Sequence, residues 1–191
     1  MRRGPLAVDA GTGLVRGARQ RRSPHQDARP EGMAVDLLVL HGISLPPGVF
    51  GGDAVDALFT GRLDAATHPD CAEVAGLRVS AHLFLRRGGE LLQYVPLHRR
   101  AWHAGQSRWQ GRSACNDFSV GIELEGTDSR PYTEAQYRTL VPLCRAVMAA
   151  FPAITADAVV GHSTIAPGRK TDPGEAFDWE RLRAALVGPG S

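Results

Sequence analysis

Asp117-Phe118-Ser119-Val120-Gly121-Ile122-Glu123-Leu124-Glu125 alternates aliphatic or aromatic side chains with small or acidic ones. Successive side chains of an extended strand point to opposite faces. Phe118, Val120, Ile122 and Leu124 therefore share one side, and Ser119, Gly121, Glu123 and Glu125 the other. The pattern predicts a strand with one buried face and with both carboxylates turned toward solvent or a cleft. Upstream, the mostly aliphatic run Val35-Asp36-Leu37-Leu38-Val39-Leu40-His41 reads as a buried strand. The prolines of Ser44-Leu45-Pro46-Pro47-Gly48 forbid helix, so His41 is expected at a strand end opening onto a loop. Ser80 to Arg86 and Glu90 to Val95, joined by Arg87-Gly88-Gly89, read as a hairpin. A short strand over Ala158 to Val160 leads into Gly161-His162.

Helical signals separate these strands. Short helices are expected over Asp53 to Phe59 and Pro69 to Ala75. Thr133 with Gln136 three residues on forms a capping box. The apolar stripe Tyr137, Leu140, Val141, Cys144, Val147 and Met148 carries that helix to Phe151, with Pro142 inside it as a candidate kink. Asp178 caps a last helix ending near Val187. Strands alternating with helices make an α/β single domain, and the hairpin makes its central sheet mixed.

The bulk composition bounds the function. At 191 residues, 43% hydrophobic, the chain can bury one core. A net charge of +2 gives no ground for nucleic-acid binding. Basic residues do gather before residue 30, where Arg2, Arg3, Arg16, Arg19, Arg21, Arg22 and Arg29 lie. Residues 1–30 are expected to be a solvated or draped arginine-rich extension, and 188–191 a tail. No apolar run approaches the roughly 18 residues that span a bilayer, and no export-signal core follows Met1. The expected compartment is the cytoplasm, with no membrane partner. Cys71, Cys115 and Cys144 lack paired spacing and are expected to be half-buried thiols.

Every basic residue but one is arginine. The exception, Lys170, stands in Gly168-Arg169-Lys170-Thr171-Asp172-Pro173-Gly174. A compact ammonium can approach a small developing anion more closely than a guanidinium can, so this position reads as a site. Two histidines, His41 and His162, both follow strands. With Asp172, returned by the loop through Pro167 and Gly168, they would supply two imidazoles and one carboxylate, a ligand set that leaves zinc an open position for water. His103, in Trp102-His103-Ala104-Gly105, has no assigned role; Trp102 reads equally as a stacking platform or a core residue. His25, His68, His82 and His98 are read as structural or surface residues. Between Glu123 and Glu125, the residues alone do not choose a proton acceptor.

Several segments together resemble one family. They are Leu40 to Gly48, Arg78 to His82, Arg100 to Gly105, Asn116 to Gly126, and Gly161-His162 through Gly174. In this order they are similar to the AmpD family of cytoplasmic 1,6-anhydro-N-acetylmuramyl-L-alanine amidases, relatives of phage lysozyme-type amidases and peptidoglycan recognition proteins. The resemblance runs from about residue 24 to about residue 187. It implies a central mixed β-sheet flanked by helices, with residues 31–187 as a zinc amidase domain. It also implies zinc held by His41, His162 and Asp172, catalysis by Glu123 and Lys170, and substrate contacts from Arg78, Trp102 and Arg169. The implied reaction is hydrolysis of the amide between the lactyl group of 1,6-anhydro-N-acetylmuramic acid and L-alanine. The implied setting is peptidoglycan recycling by a monomer acting on anhydro-muropeptides, and through it control of the muropeptides that induce β-lactamase. The chain departs from the family at Gly42, where Asn is frequent, and at Ala114, where Arg is frequent; Arg112 is the candidate to compensate. Two rivals remain: an exported relative that trims intact peptidoglycan, and a non-catalytic muropeptide sensor.

Overall fold

The computed structural model describes residues 5–188. Arg2 and Arg3 of the extension, and residues 189–191 of the tail, lie outside the described residues. The strands are β1 (Arg19–Gln20), β2 (Gln26–Asp27), β3 (Leu37–Ile43), β4 (Leu83–Leu85), β5 (Leu91–Gln93), β6 (Arg100–Ala101), β7 (Arg108–Trp109), β8 (Arg112–Ser113), β9 (Ser119–Glu125) and β10 (Val159–Gly161). The helices are α1 (Ala54–Phe59), α2 (Pro69–Val74), α3 (Glu134–Ala150), α4 (His162–Ile165) and α5 (Trp179–Val187). Six strands form the central sheet in the order β1-β5-β4-β9-β3-β10. Only β4 and β5, the expected hairpin, pair antiparallel; the other neighbours are parallel, so the sheet is mixed.

One face of this sheet packs on α3. Val120, Ile122 and Leu124 of β9, with Leu38 and Leu40 of β3, meet Tyr137, Leu140, Leu143, Cys144 and Val147. The capping box of Thr133 and Gln136 starts α3, and Pro142 sits on its exposed side without ending it. The opposite face is covered too, which the alternation of β9 did not predict. All seven residues of β9 are buried. Phe84, Leu92 and Tyr94 meet α1 and α2, while Leu37, Val39 and Val160 meet Ala104, Cys115 and Phe118. Phe118 precedes β9, which begins at Ser119, and so lies opposite Val120, Ile122 and Leu124 and not beside them as expected. A strand central to a parallel sheet is enclosed on both sides, so the polar side of β9 lines the interior of a cleft and not open solvent.

Two further expectations need correction. His41 is not the end of its strand, because Gly42 and Ile43 continue β3 against Leu124 and Glu125. The three cysteines are fully buried, not half-buried.

The arm of residues 5–30 crosses the domain and is tied to it. Strand β1 adds to β5 at the sheet edge, and β2 pairs with β6. Arg29 anchors the far end by donating to the carbonyls of Leu97 (3.1 Å), Asn116 (2.9 Å), Asp117 (2.9 Å) and Ser119 (2.8 Å). Burial pushes this guanidinium down to about 10. Arg16, Arg19 and Arg22 remain exposed.

Candidate active site

The sheet sets the first distance of the site. His41 on β3 and Glu123 on β9 are register partners, so both side chains leave neighbouring strands toward the face opposite α3. Strand β10 lies on the other side of β3 and delivers His162, which opens the single turn of α4 instead of the expected loop. The chain then returns through Pro167 and Gly168 to Asp172, whose carbonyl accepts from Ser163 N at 3.0 Å.

These elements bring His41, His162 and Asp172 together, with one donor atom from each within 4.8 Å of the others. His41 Nδ1 is 3.0 Å from His162 Nδ1, and each is 3.2 Å from Asp172 Oδ2. Burial alone would raise the Asp172 carboxyl, yet its contacts with His162 and His41 hold it well below the ordinary carboxylate range. Burial pushes the His41 imidazole down to about 4 despite its contact with Asp172. His162 Nε2 faces the Ala104 carbonyl at 3.1 Å. A carbonyl only accepts, so this shorter contact favours the His162 proton on Nε2, over the 3.4 Å approach of Arg169 Nη2 to the same atom, and leaves Nδ1 bare. Lone pairs from an imidazole and an ionised carboxylate thus converge on one point, an arrangement that a cation stabilises. The donor set is compatible with a metal ion and fits the open three-ligand sites of catalytic zinc.

Glu123 stands beside this cluster. It is buried, and its Oε2 has no hydrogen-bond partner among the described residues. Burial, and then the Asp172 charge, raise its carboxyl well above the usual range, with the Lys170 ammonium opposing. Glu125 is different in kind. One of its oxygens accepts from Gly51 N at 2.6 Å and the other from Arg87 N at 2.9 Å, which occupies the carboxylate with holding two loops. A cleft of about 250 Å³ gathers Glu123, Lys170, Asp172 and His162 against an apolar wall from Leu58, Phe59, Val74 and Leu77. Trp102 lines the same cleft, half-buried, with the Arg78 guanidinium 5.2 Å over its ring and its Nε1 donating to Asp27 at 3.2 Å. A larger cavity of about 670 Å³ lies alongside, lined by Arg108, Ala114 and Arg169 but by no acid or histidine. Arg169 is partly committed there, donating to the carbonyls of Ala104 (2.8 Å) and Gln106 (2.6 Å).

A family model described as N-acetylmuramoyl-L-alanine amidase matches residues 31–175. The chain belongs to the N-acetylmuramoyl-L-alanine amidase family. This amidase is 60% identical over 170 residues to the 1,6-anhydro-N-acetylmuramyl-L-alanine amidase AmpD of Salmonella typhimurium, covering 89% of this chain and 90% of that protein. Among solved structures, a crystal structure of a selenomethionine AmpD derivative superposes with a TM-score of 0.90 at 55% identity, over 94% of this chain and 98% of that one. An Escherichia coli AmiD complex with anhydro-N-acetylmuramic acid-L-Ala-D-gamma-Glu-L-Lys superposes with a TM-score of 0.60 at 28% identity, over 97% of this chain and 67% of that one.

At Gly42 and Ala114 the surroundings are specific. A Cβ on Gly42 would overlap the Tyr132 hydroxyl, which donates to the Pro173 carbonyl at 2.9 Å next to Asp172. Ala114 takes a left-handed conformation at φ 59° and borders the larger cavity. Arg112 does not reach that cavity. It pairs with Asp36 at 2.9 Å and lies 3.9 Å over the Phe118 ring, so the cations facing the space are Arg108 and Arg169. Sequence reading also passed over Asn116 and Ser119. Asn116 Oδ1 accepts from the backbone N–H groups of His103 (3.1 Å) and Ala104 (2.8 Å). Ser119 shares the cleft-side parity of Glu123 on β9, and that periodicity was the available signal.

Proposed function

We propose that this amidase hydrolyses the amide between the lactyl group of 1,6-anhydro-N-acetylmuramic acid and L-alanine, with zinc held by His41, His162 and Asp172. The observation that carries the reading is the unpartnered Glu123 oxygen, in register with His41 and beside the three-donor cluster. Bound zinc would supply Lewis acidity, polarising the scissile carbonyl and bringing the pKa of water from 15.7 toward about 7. Glu123 accepts the proton of the attacking water and returns it to the departing alanine nitrogen. Burial raises its carboxyl above the usual range, the direction that suits a group which takes a proton and then releases it. Lys170, exposed at the cleft, approaches the oxyanion that develops as the carbonyl is attacked, where loss of one such donor commonly costs about 3 kcal/mol of barrier.

Trp102, with Arg78 over its face, offers the flat surface against which a sugar ring stacks, and Arg169 borders the route taken by the peptide. The substrate in the Escherichia coli AmiD complex, an anhydro-muramyl peptide, supports a small-molecule ligand of this class. None of the described helices is long and apolar enough to cross a membrane. We further infer a monomer acting in cytoplasmic peptidoglycan recycling, where the hydrolysis lowers the muropeptides that induce β-lactamase.

Zinc analysis coupled to mass spectrometry of an anhydro-muropeptide incubated with the chain tests the reading. Free L-Ala-peptide and anhydro-sugar are expected, and polymeric murein is expected to be a poor substrate. Asp172→Ala should lose the metal. A zinc-loaded chain that binds the muropeptide without cleaving it would favour the sensor reading instead.

A further inference from the structure

The outer nitrogen of His41 meets another histidine. Its Nε2 lies 2.9 Å from Nδ1 of His103, whose own Nε2 lies 3.1 Å from Ser119 Oγ. Ser119 Oγ is 2.6 Å from the Cys115 carbonyl oxygen. That carbonyl can only accept, so the serine proton lies on the line between them. The serine oxygen then has only lone pairs to offer, which makes His103 Nε2 the donor. A neutral imidazole carries a single N–H, and with no carboxylate against it His103 has no partner to hold a second proton. Its Nδ1 is therefore an acceptor, and the proton facing it belongs to His41 Nε2. The Nδ1 of His41 is left bare on the side of His162 and Asp172.

We propose that His103 is a positioning residue, which with Ser119 and the Cys115 carbonyl orders protons so that His41 waits in the one tautomer able to bind metal. The inference rests on the metal-centre reading above and extends it to two residues outside the three ligands. Two contacts lock the ring in place. Asn116 holds the backbone of His103 and Ala104 from one side. On the other, β9 passes as bare backbone at Gly121, where a Cβ would lie only 2.5 Å from His103 Cγ. The same short segment thus serves both ligand histidines, His41 through the His103 ring and His162 through the Ala104 carbonyl.

The test uses the full chain, stripped of metal and labelled with nitrogen-15 histidine. Long-range proton–nitrogen correlation reads which ring nitrogen of His41 carries the proton, and Nε2 is expected. His103→Leu removes the acceptor; it should mix the His41 tautomers and weaken zinc by about 10–100-fold in a chelator competition. His103→Asn, whose carboxamide oxygen can occupy the Nδ1 position, should restore both readouts. A parent spectrum with the proton on His41 Nδ1 overturns the proposal without any variant having to fold. So does a folded His103→Leu chain that binds zinc as tightly as the parent. A parent chain with the expected tautomer but no zinc uptake would retain the proton order and overturn the metal reading.

Discussion

Adding one methyl group at Gly121 puts the outer support of the metal seat under direct load. The new Cβ would lie 2.5, 2.6 and 2.7 Å from Cγ, Nδ1 and Cδ2 of His103. Ordinary contact begins near 3.4 Å, so the ring must retreat by roughly 0.9 Å. The strand is poorly placed to yield, because Gly121 N donates to His82 Nδ1 at 3.0 Å and the residue pairs in register with Val39. The near-equal distances put the Cβ over the ring face, so the retreat carries the ring sideways from His41 and tilts the 2.9 Å contact between them out of line more than it lengthens it. Overpacking of this kind costs about 1–3 kcal/mol, and a misaligned outer-shell partner should weaken metal binding toward the lower end of the roughly 10–100-fold that outright loss produces. Thermal unfolding of the metal-free Gly121→Ala chain reads the first quantity, and zinc competition against a chelator reads the second. Activity at saturating zinc should recover toward the parent value, since Glu123 and Lys170 are untouched. A folded variant with parental zinc affinity would refute the argument that the bare strand holds His103 in place.

Three other outcomes are expected. Glu123→Gln should keep zinc and lose most turnover, and it should change the pH dependence of metal-free stability. The raised folded-state pKa means that the Glu123 contribution is complete below the ordinary carboxylate range and is lost as pH climbs through the elevated value. The glutamine chain should therefore lose less melting temperature than the parent as pH rises above the ordinary carboxylate range; identical slopes would count against a buried, proton-retaining Glu123. Glu125→Ala should lower stability by about 1–3 kcal/mol in urea denaturation, because the N–H groups of Gly51 and Arg87 lose their acceptor. Turnover should largely survive in that variant, and a loss equal to that of Glu123→Gln would move the base role to Glu125. Gly42→Asn should displace the Tyr132 hydroxyl and destabilise this chain, with an unchanged melting temperature as the contrary result.

Strand β9 shows both what the sequence made legible and where it stopped. Period-2 alternation placed Glu123 and Glu125 on one side, and that side does hold the cleft. The pattern carries no information about what covers a strand, so enclosure of both faces emerged only with α1, α2 and the Trp102 loop in place. Proline and glycine punctuation located the loop from His162 to Asp172, but not the helical turn that starts it. The difference between the two glutamates was invisible to pattern because it depends on Gly51 and Arg87, more than thirty residues away in the chain. His103 stood out by its neighbours without acquiring a role. Its partners are Ser119 of one strand, His41 of another and the Asn116 side chain of a turn, brought together only by the fold.

The Arg29 guanidinium has a practical consequence for anyone shortening this chain. A boundary drawn at residue 31, where the family pattern begins, would remove a cation whose charge is shared among four backbone oxygens. Two of those oxygens belong to Asn116 and Asp117, in the turn whose Asn116 side chain grips His103 and Ala104. Trimming what looks like a dispensable leader would slacken the turn first and then His41 and His162, so a truncated protein could fold and still hold the proposed metal poorly.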